Sequence, residues 1–175
     1  MLSWAWFVML LSHEFGHVLG GVASGAVLSR LEIRPWRLPF SLFAADPNPL
    51  LTLWAGPIVG CALPLSIAVC TRKQMIWLIA WFCVLANAAY LLLGYFGGDT
   101  ELDSTKLLDA GTPPIVLLLF VVMTGPVSYV AFRREWMCLM SDPQQALTKR
   151  SWRISAVGLL GLIVMQACVG IFLAP

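Results

Sequence analysis

Apolar residues fill five long stretches of the chain: Leu2 to Val22, Leu50 to Cys70, Ile76 to Phe96, Pro113 to Phe132 and Ile154 to Leu173. Each has close to the ~20 residues that carry a helix across the hydrocarbon core of a bilayer. The pattern predicts an all-α membrane protein with about five transmembrane helices. One region has another rhythm. Between Ala26 and Asn48, Ser29-Arg30-Leu31-Glu32-Ile33-Arg34 alternates polar with apolar, and Pro35, Pro39, Pro47 and Pro49 follow. Alternation of that kind predicts a short strand or hairpin after the first helix, lying at or dipping into the membrane surface. Its unpaired edge can receive an extended peptide as one more strand; the competing reading is an interfacial loop with snorkelling arginines.

Glycine and proline mark the later helices. Gly16, Gly20, Gly21 and Gly25 give the first helix the small-residue spacing that lets another backbone approach. Pro57 and Pro64 interrupt the second, and Thr124-Gly125-Pro126 the fourth. Such interruptions survive in a membrane where protein or a cavity satisfies the freed carbonyls. A polar, basic segment from Arg133 to Arg153 joins the fourth helix to the fifth.

Composition agrees with that solvent. The 175 residues are 59% hydrophobic and 11% charged, with a mean hydropathy of +0.84, whereas soluble domains are about a quarter charged. The expectation is one integral, multi-pass membrane domain over residues 1–175, in a cell (plasma) membrane, with the lipid bilayer as a partner. A net charge of +2 without a dense basic stretch gives no basis for nucleic-acid binding. The five cysteines are scattered singly, which reads as packing rather than a disulfide frame or thiolate site. The first apolar run lacks a basic start and a small-residue cleavage site, so it is expected to be a retained span.

Chemistry concentrates in the first span. His13-Glu14-Phe15-Gly16-His17 holds both histidines of the chain. Positions i and i+4 share a helix face, so the two imidazoles can reach one metal ion, with Glu14 beside them as a base for a bound water. His13 would lie roughly 16 Å along the helix. An unpaired carboxylate inside a span costs about 3 kcal/mol, so Glu14 points to function. A third protein ligand is still needed, and a carboxylate is a usual one where a water must stay bound. The stretch Gly97-Gly98-Asp99-Thr100-Glu101-Leu102-Asp103 supplies two candidates, Asp99 and Asp103. They are four residues apart, so spacing does not separate them. Asp99, after two glycines, also suits a helix cap, and Glu101 and Asp109 read as solvated acids. Asn87, in the third span, either bonds a neighbouring helix or holds a substrate carbonyl.

The motif His13-Glu14-Phe15-Gly16-His17 in a first membrane helix resembles the site-2 protease family of intramembrane zinc metalloproteases. Three further features are similar: the strand-like segment after that helix, the Ala55-Gly56-Pro57 turn in the second, and an Asn in the third followed by Leu102-Asp103. The family's Leu-Asp-Gly reads Leu102-Asp103-Ser104 here, and no proline follows Asn87 at the family's position. The resemblance covers roughly residues 1–108. It implies a zinc ion on His13, His17 and Asp103 (Asp99 the alternative), Glu14 as catalytic base and Asn87 on the substrate. It also implies a catalytic core of about 1–110, with accessory helices over about 113–173. The implied activity is hydrolysis of a peptide bond in or near a transmembrane segment of a membrane-protein substrate. The alternative is a catalytically silent relative acting as a binding or scaffold protein.

Overall fold

The computed structural model describes residues 2–37, 39–98, 100–141 and 149–173, the side chains of 149–155 and 172–173 excepted. The described elements are α1 (Leu2–Ser24), β1 (Val27–Glu32), β2 (Phe40–Ala45), α2 (Pro49–Thr71), α3 (Gln74–Gly97), α4 (Asp103–Asp109), α5 (Pro114–Ser141) and α6 (Lys149–Leu173). Local chemistry sets their ends. Gly25 takes a left-handed φ of +81 and turns the chain out of α1 into β1. Asn48 caps α2, its side chain accepting from the Leu51 N–H at 3.3 Å, with Pro49 next to it at the start of the helix. At the far end of α3, Gly98 (φ +62) donates to the Gly94 carbonyl at 3.1 Å.

β1 and β2 form an antiparallel hairpin, with irregular register near Leu28 and regular pairing of Arg30 with Leu42, Leu31 with Ser41 and Glu32 with Phe40. The hairpin folds back along α1. Phe43 lies where a side chain on Gly21 would be, and Ser41 reaches Glu14. Glu32 is buried at the end of β1 and is gripped by Arg34 through its Nε, at 2.7 Å, and its Nη2. The Arg34 side chain and backbone N–H hold the Glu32 carboxyl well below the usual range, at about 2.

Three described helices, α2, α3 and α5, are long and apolar enough to cross a membrane, and α6 contains a shorter apolar stretch, Ala156–Ile171. Five such helices were expected. α1 matches α2 in length but is diluted by Ser12, His13, Glu14 and His17, which it buries against its neighbours. One boundary also differs from expectation. α5 continues through Arg133 and Arg134 to Ser141, because nothing after Phe132 breaks a helix and charges on an exposed face do not. The expected interruptions at Pro57, Pro64 and Pro126 all lie inside continuous helices.

The short α4 is seated by packing. Leu107, wholly buried, joins Leu91 of α3 and Leu117 and Val121 of α5, with Trp54 of α2 against them. Asp103 is four residues before Leu107, on the same face of α4. The contact that anchors α4 therefore also aims Asp103 inward.

Candidate metal centre

The site depends on how closely α1 and α2 approach. A Cβ on Gly16 would strike the Ala55 carbonyl and the Gly56 Cα, and one on Gly20 would meet the Leu51 carbonyl at 3.0 Å. Gly56 in turn leaves room for the His17 ring, and Gly60 lies against Asn87 and the His13 backbone. The small residues of both helices thus bring the two imidazoles into the protein without a gap.

Each imidazole is then fixed by its inner nitrogen. His17 Nδ1 lies 2.9 Å from the Thr52 carbonyl, which can only accept, so the ring nitrogen donates. His13 Nδ1 lies 2.6 Å from Asn87 Oδ1. The Asn87 amide is oriented by donating from Nδ2 to the Cys83 carbonyl at 2.8 Å, which leaves Oδ1 as acceptor for His13. With both Nδ1 atoms carrying protons, both neutral rings present a lone pair at Nε2.

Those lone pairs converge. The two Nε2 atoms are 3.0 Å apart, and Asp103 Oδ2 is 2.7 Å from that of His13 and 3.2 Å from that of His17. Two nitrogen lone pairs and a carboxylate aimed at one point repel unless a cation sits among them. A single proton bridges one pair; a metal ion serves all three. Tetrahedral zinc, with bonds of about 2.0–2.1 Å, sets its ligand atoms about 3.3 Å apart. The observed triangle fits with about 0.6 Å of spreading along its shortest edge and less along the other two. His13, Glu14 and His17 also offer ligand atoms that all lie within 4.8 Å of one another.

Glu14 is buried beside the imidazoles, and its Oε2 accepts from the Ser41 hydroxyl of β2 at 3.2 Å. The centre opens on a cleft of about 410 Å³ lined by Glu14, His17, Asp103, Tyr90 and the strand Phe40 to Phe43.

Comparison with family models, with curated proteins and with solved structures finds no match to this chain. The site therefore rests on its own geometry. His13, Glu14, His17 and Asp103 are brought together; Asp99 lies outside the described residues. Asn87, read as bonding a neighbouring helix or holding a substrate carbonyl, is 1% exposed and has its carbonyl on His13 of α1 and its amide on Cys83. Sequence reasoning missed Thr52, Ser41 and Tyr90. The first acts through a main-chain carbonyl, which leaves no signature in residue type. Tyr90, whose ring meets His13 edge-on at 5.8 Å, carries a weak signal: it follows Asn87 by three residues, on the same helix face.

Proposed function

We propose that the chain is a membrane-embedded zinc endopeptidase of the site-2 protease type, acting on a transmembrane protein substrate. The observation that carries this reading is the convergence of His13 Nε2, His17 Nε2 and Asp103 Oδ2, with the Glu14 carboxylate alongside. Membrane embedding is supported by large apolar side chains left outside the fold, among them Leu93, Met123 and Val130, all more than three-fifths exposed.

His13, His17 and Asp103 would hold a zinc ion, which would supply Lewis acidity toward a scissile carbonyl and a water molecule. Glu14 accepts the proton of that water and passes it to the leaving amine. The Ser41 hydroxyl donates to Glu14 and holds it toward the cleft. Asn87 and the Thr52 carbonyl keep the imidazoles in the tautomer that binds metal. β2 lines the cleft, and one of its edges is unpaired among the described residues, so an extended substrate segment can bind along it by main-chain hydrogen bonds. A substrate helix must unwind to do so, because an intact helix keeps its carbonyls in its own hydrogen bonds.

The test is metal content and cleavage measured side by side on purified protein. Wild type should carry one zinc per chain and His13→Ala should lose it. Glu14→Gln should keep the zinc and cleave nothing. Undiminished zinc in a His13→Ala, His17→Ala double variant would refute the centre, and wild-type cleavage by Glu14→Gln would refute the mechanism.

A further inference from the structure

A second cavity, of about 300 Å³, opens on the other side of Pro39 from the metal cleft, and Pro39 lines both. Its apolar wall is Trp6, Phe7 and Leu10 of α1; its polar wall is Arg34, Arg37 and, from α6, Gln166. Two features here are unexplained by the fold. Gln166 is 4% exposed, and its Oε1 has no hydrogen-bond partner among the described residues. Such an orphan costs about 1–3 kcal/mol unless a ligand supplies the donor. Arg37 is exposed, and its guanidinium makes no hydrogen bond or ion pair among the described residues, its charge acting on Glu32 only at longer range. Glu32 is already matched by Arg34, so Arg37 leaves the cavity one positive charge in surplus.

The cavity therefore asks for a ligand with an N–H or O–H donor, an anionic group and some apolar surface. Its position identifies which. Leu10 and Phe7 precede His13 by three and six residues, or about 4.5–9 Å of helix rise. Pro39 precedes Ser41, the partner of Glu14, by two residues of strand, about 7 Å. Both elements put the cavity two or three extended residues from the metal centre, on the line β2 gives to a bound strand.

We infer that this cavity is a specificity subsite for an acidic side chain, Asp or Glu, two or three residues from the scissile bond of an extended peptide. The carboxylate meets Arg37, a peptide N–H donates to Gln166 Oε1, and the apolar stem lies on Trp6, Phe7 and Leu10. This rests on the peptidase reading for its substrate, but peptide binding can be measured without cleavage. The experiment uses the full chain as Glu14→Gln in neutral detergent, with fluorescent apolar peptides of about a dozen residues that differ only by a central Glu or Gln. The Glu peptide should bind about tenfold tighter. Arg37→Gln should bring the ratio to about one. Gln166→Leu should weaken both peptides about threefold and leave the ratio unchanged. Zinc content should be the same in all three proteins, since none of these residues touches the centre. A Glu/Gln ratio below twofold, or one that survives Arg37→Gln, overturns the inference. So does displacement of the Glu peptide by phosphatidylglycerol vesicles but not by phosphatidylcholine vesicles, which assigns the cavity to an anionic lipid. If binding discriminates while the wild type holds no zinc, the peptidase reading fails and the subsite stands.

Discussion

The sharpest consequence of the close α1–α2 approach is a contrast between two glycines. At Gly56 an added Cβ would lie 2.9 Å from His17 Cδ2 and closer still to Cε1 and Nε2, where ordinary contact begins at 3.4 Å. The ring must then move by at least about half an ångström, well beyond the ±0.2 Å or so that metal–ligand bonds tolerate. The helices cannot simply part to make room, because Gly16 and Gly20 hold backbone against backbone on either side of the contact. Gly56→Ala should therefore displace one ligand of three and weaken zinc binding on the order of 100-fold. Gly97→Ala is the matched control. Nothing lies within 4 Å of its added Cβ, and alanine favours a helix over glycine by about 1 kcal/mol at an interior position and by less at this end. Its zinc binding should stay within twofold of wild type. Competition with a coloured chelator, on both variants purified in the same detergent, reads the difference. Retention of zinc within twofold by Gly56→Ala would refute the packing on which the whole centre depends.

Other residues give further tests. Asn87→Ala removes the acceptor for His13 Nδ1 without touching the ion and should cost about 10–100-fold in zinc affinity, measured by the same competition. Asp103→Asn should lose zinc, because Asp103 lies against both imidazoles, while Asp99→Asn should keep it, since Asn serves a helix cap as well as Asp does; the reverse order would move the ligand. Glu32 gives a pH test. Its carboxyl is depressed from 4.5 to about 2 by Arg34, so its contribution is complete above pH 4.5 and is lost as pH falls toward 2. The difference in unfolding temperature between wild type and Glu32→Gln should shrink across that window, and a difference that stays flat from pH 6 to 2.5 would contradict the pairing.

What the sequence made legible follows from how local each signal was. His13, Glu14 and His17 could be read because one helix turn relates them, and the hairpin because alternation is a property of a few adjacent residues. Asp103 was reachable only through a pattern of neighbours, since what brings it to the imidazoles is the docking of α4 through Leu107, 94 residues from His13 along the chain. Asn87 was noticed, but its partner depends on which face of α3 meets α1, and no single-helix pattern states that. Helix ends failed where chemistry was silent: Arg133 to Ser141 contains no breaker, so polarity alone was a poor guide to where α5 stops. Span counting failed for a related reason. The polar residues that give α1 its chemistry are the ones that lower its hydropathy.

The position after Asp103 bears on how closely α4 sits against α3. Ser104 stands there, fully buried, its Oγ without a partner among the described residues. A buried hydroxyl of that kind costs about 1–3 kcal/mol, so the serine is not there to stabilise the fold by hydrogen bonding. Opposite it, on α3, is Gly94, where an added Cβ would collide with Ser104 Oγ and meet Leu102 at 3.2 Å. Close approach of α3 and α4 needs one small residue at the crossing, and either helix can supply it. Here the glycine is on α3 and the larger side chain on α4. The gap at Gly94 lets the two helices approach, and with that approach Asp103 reaches the imidazoles.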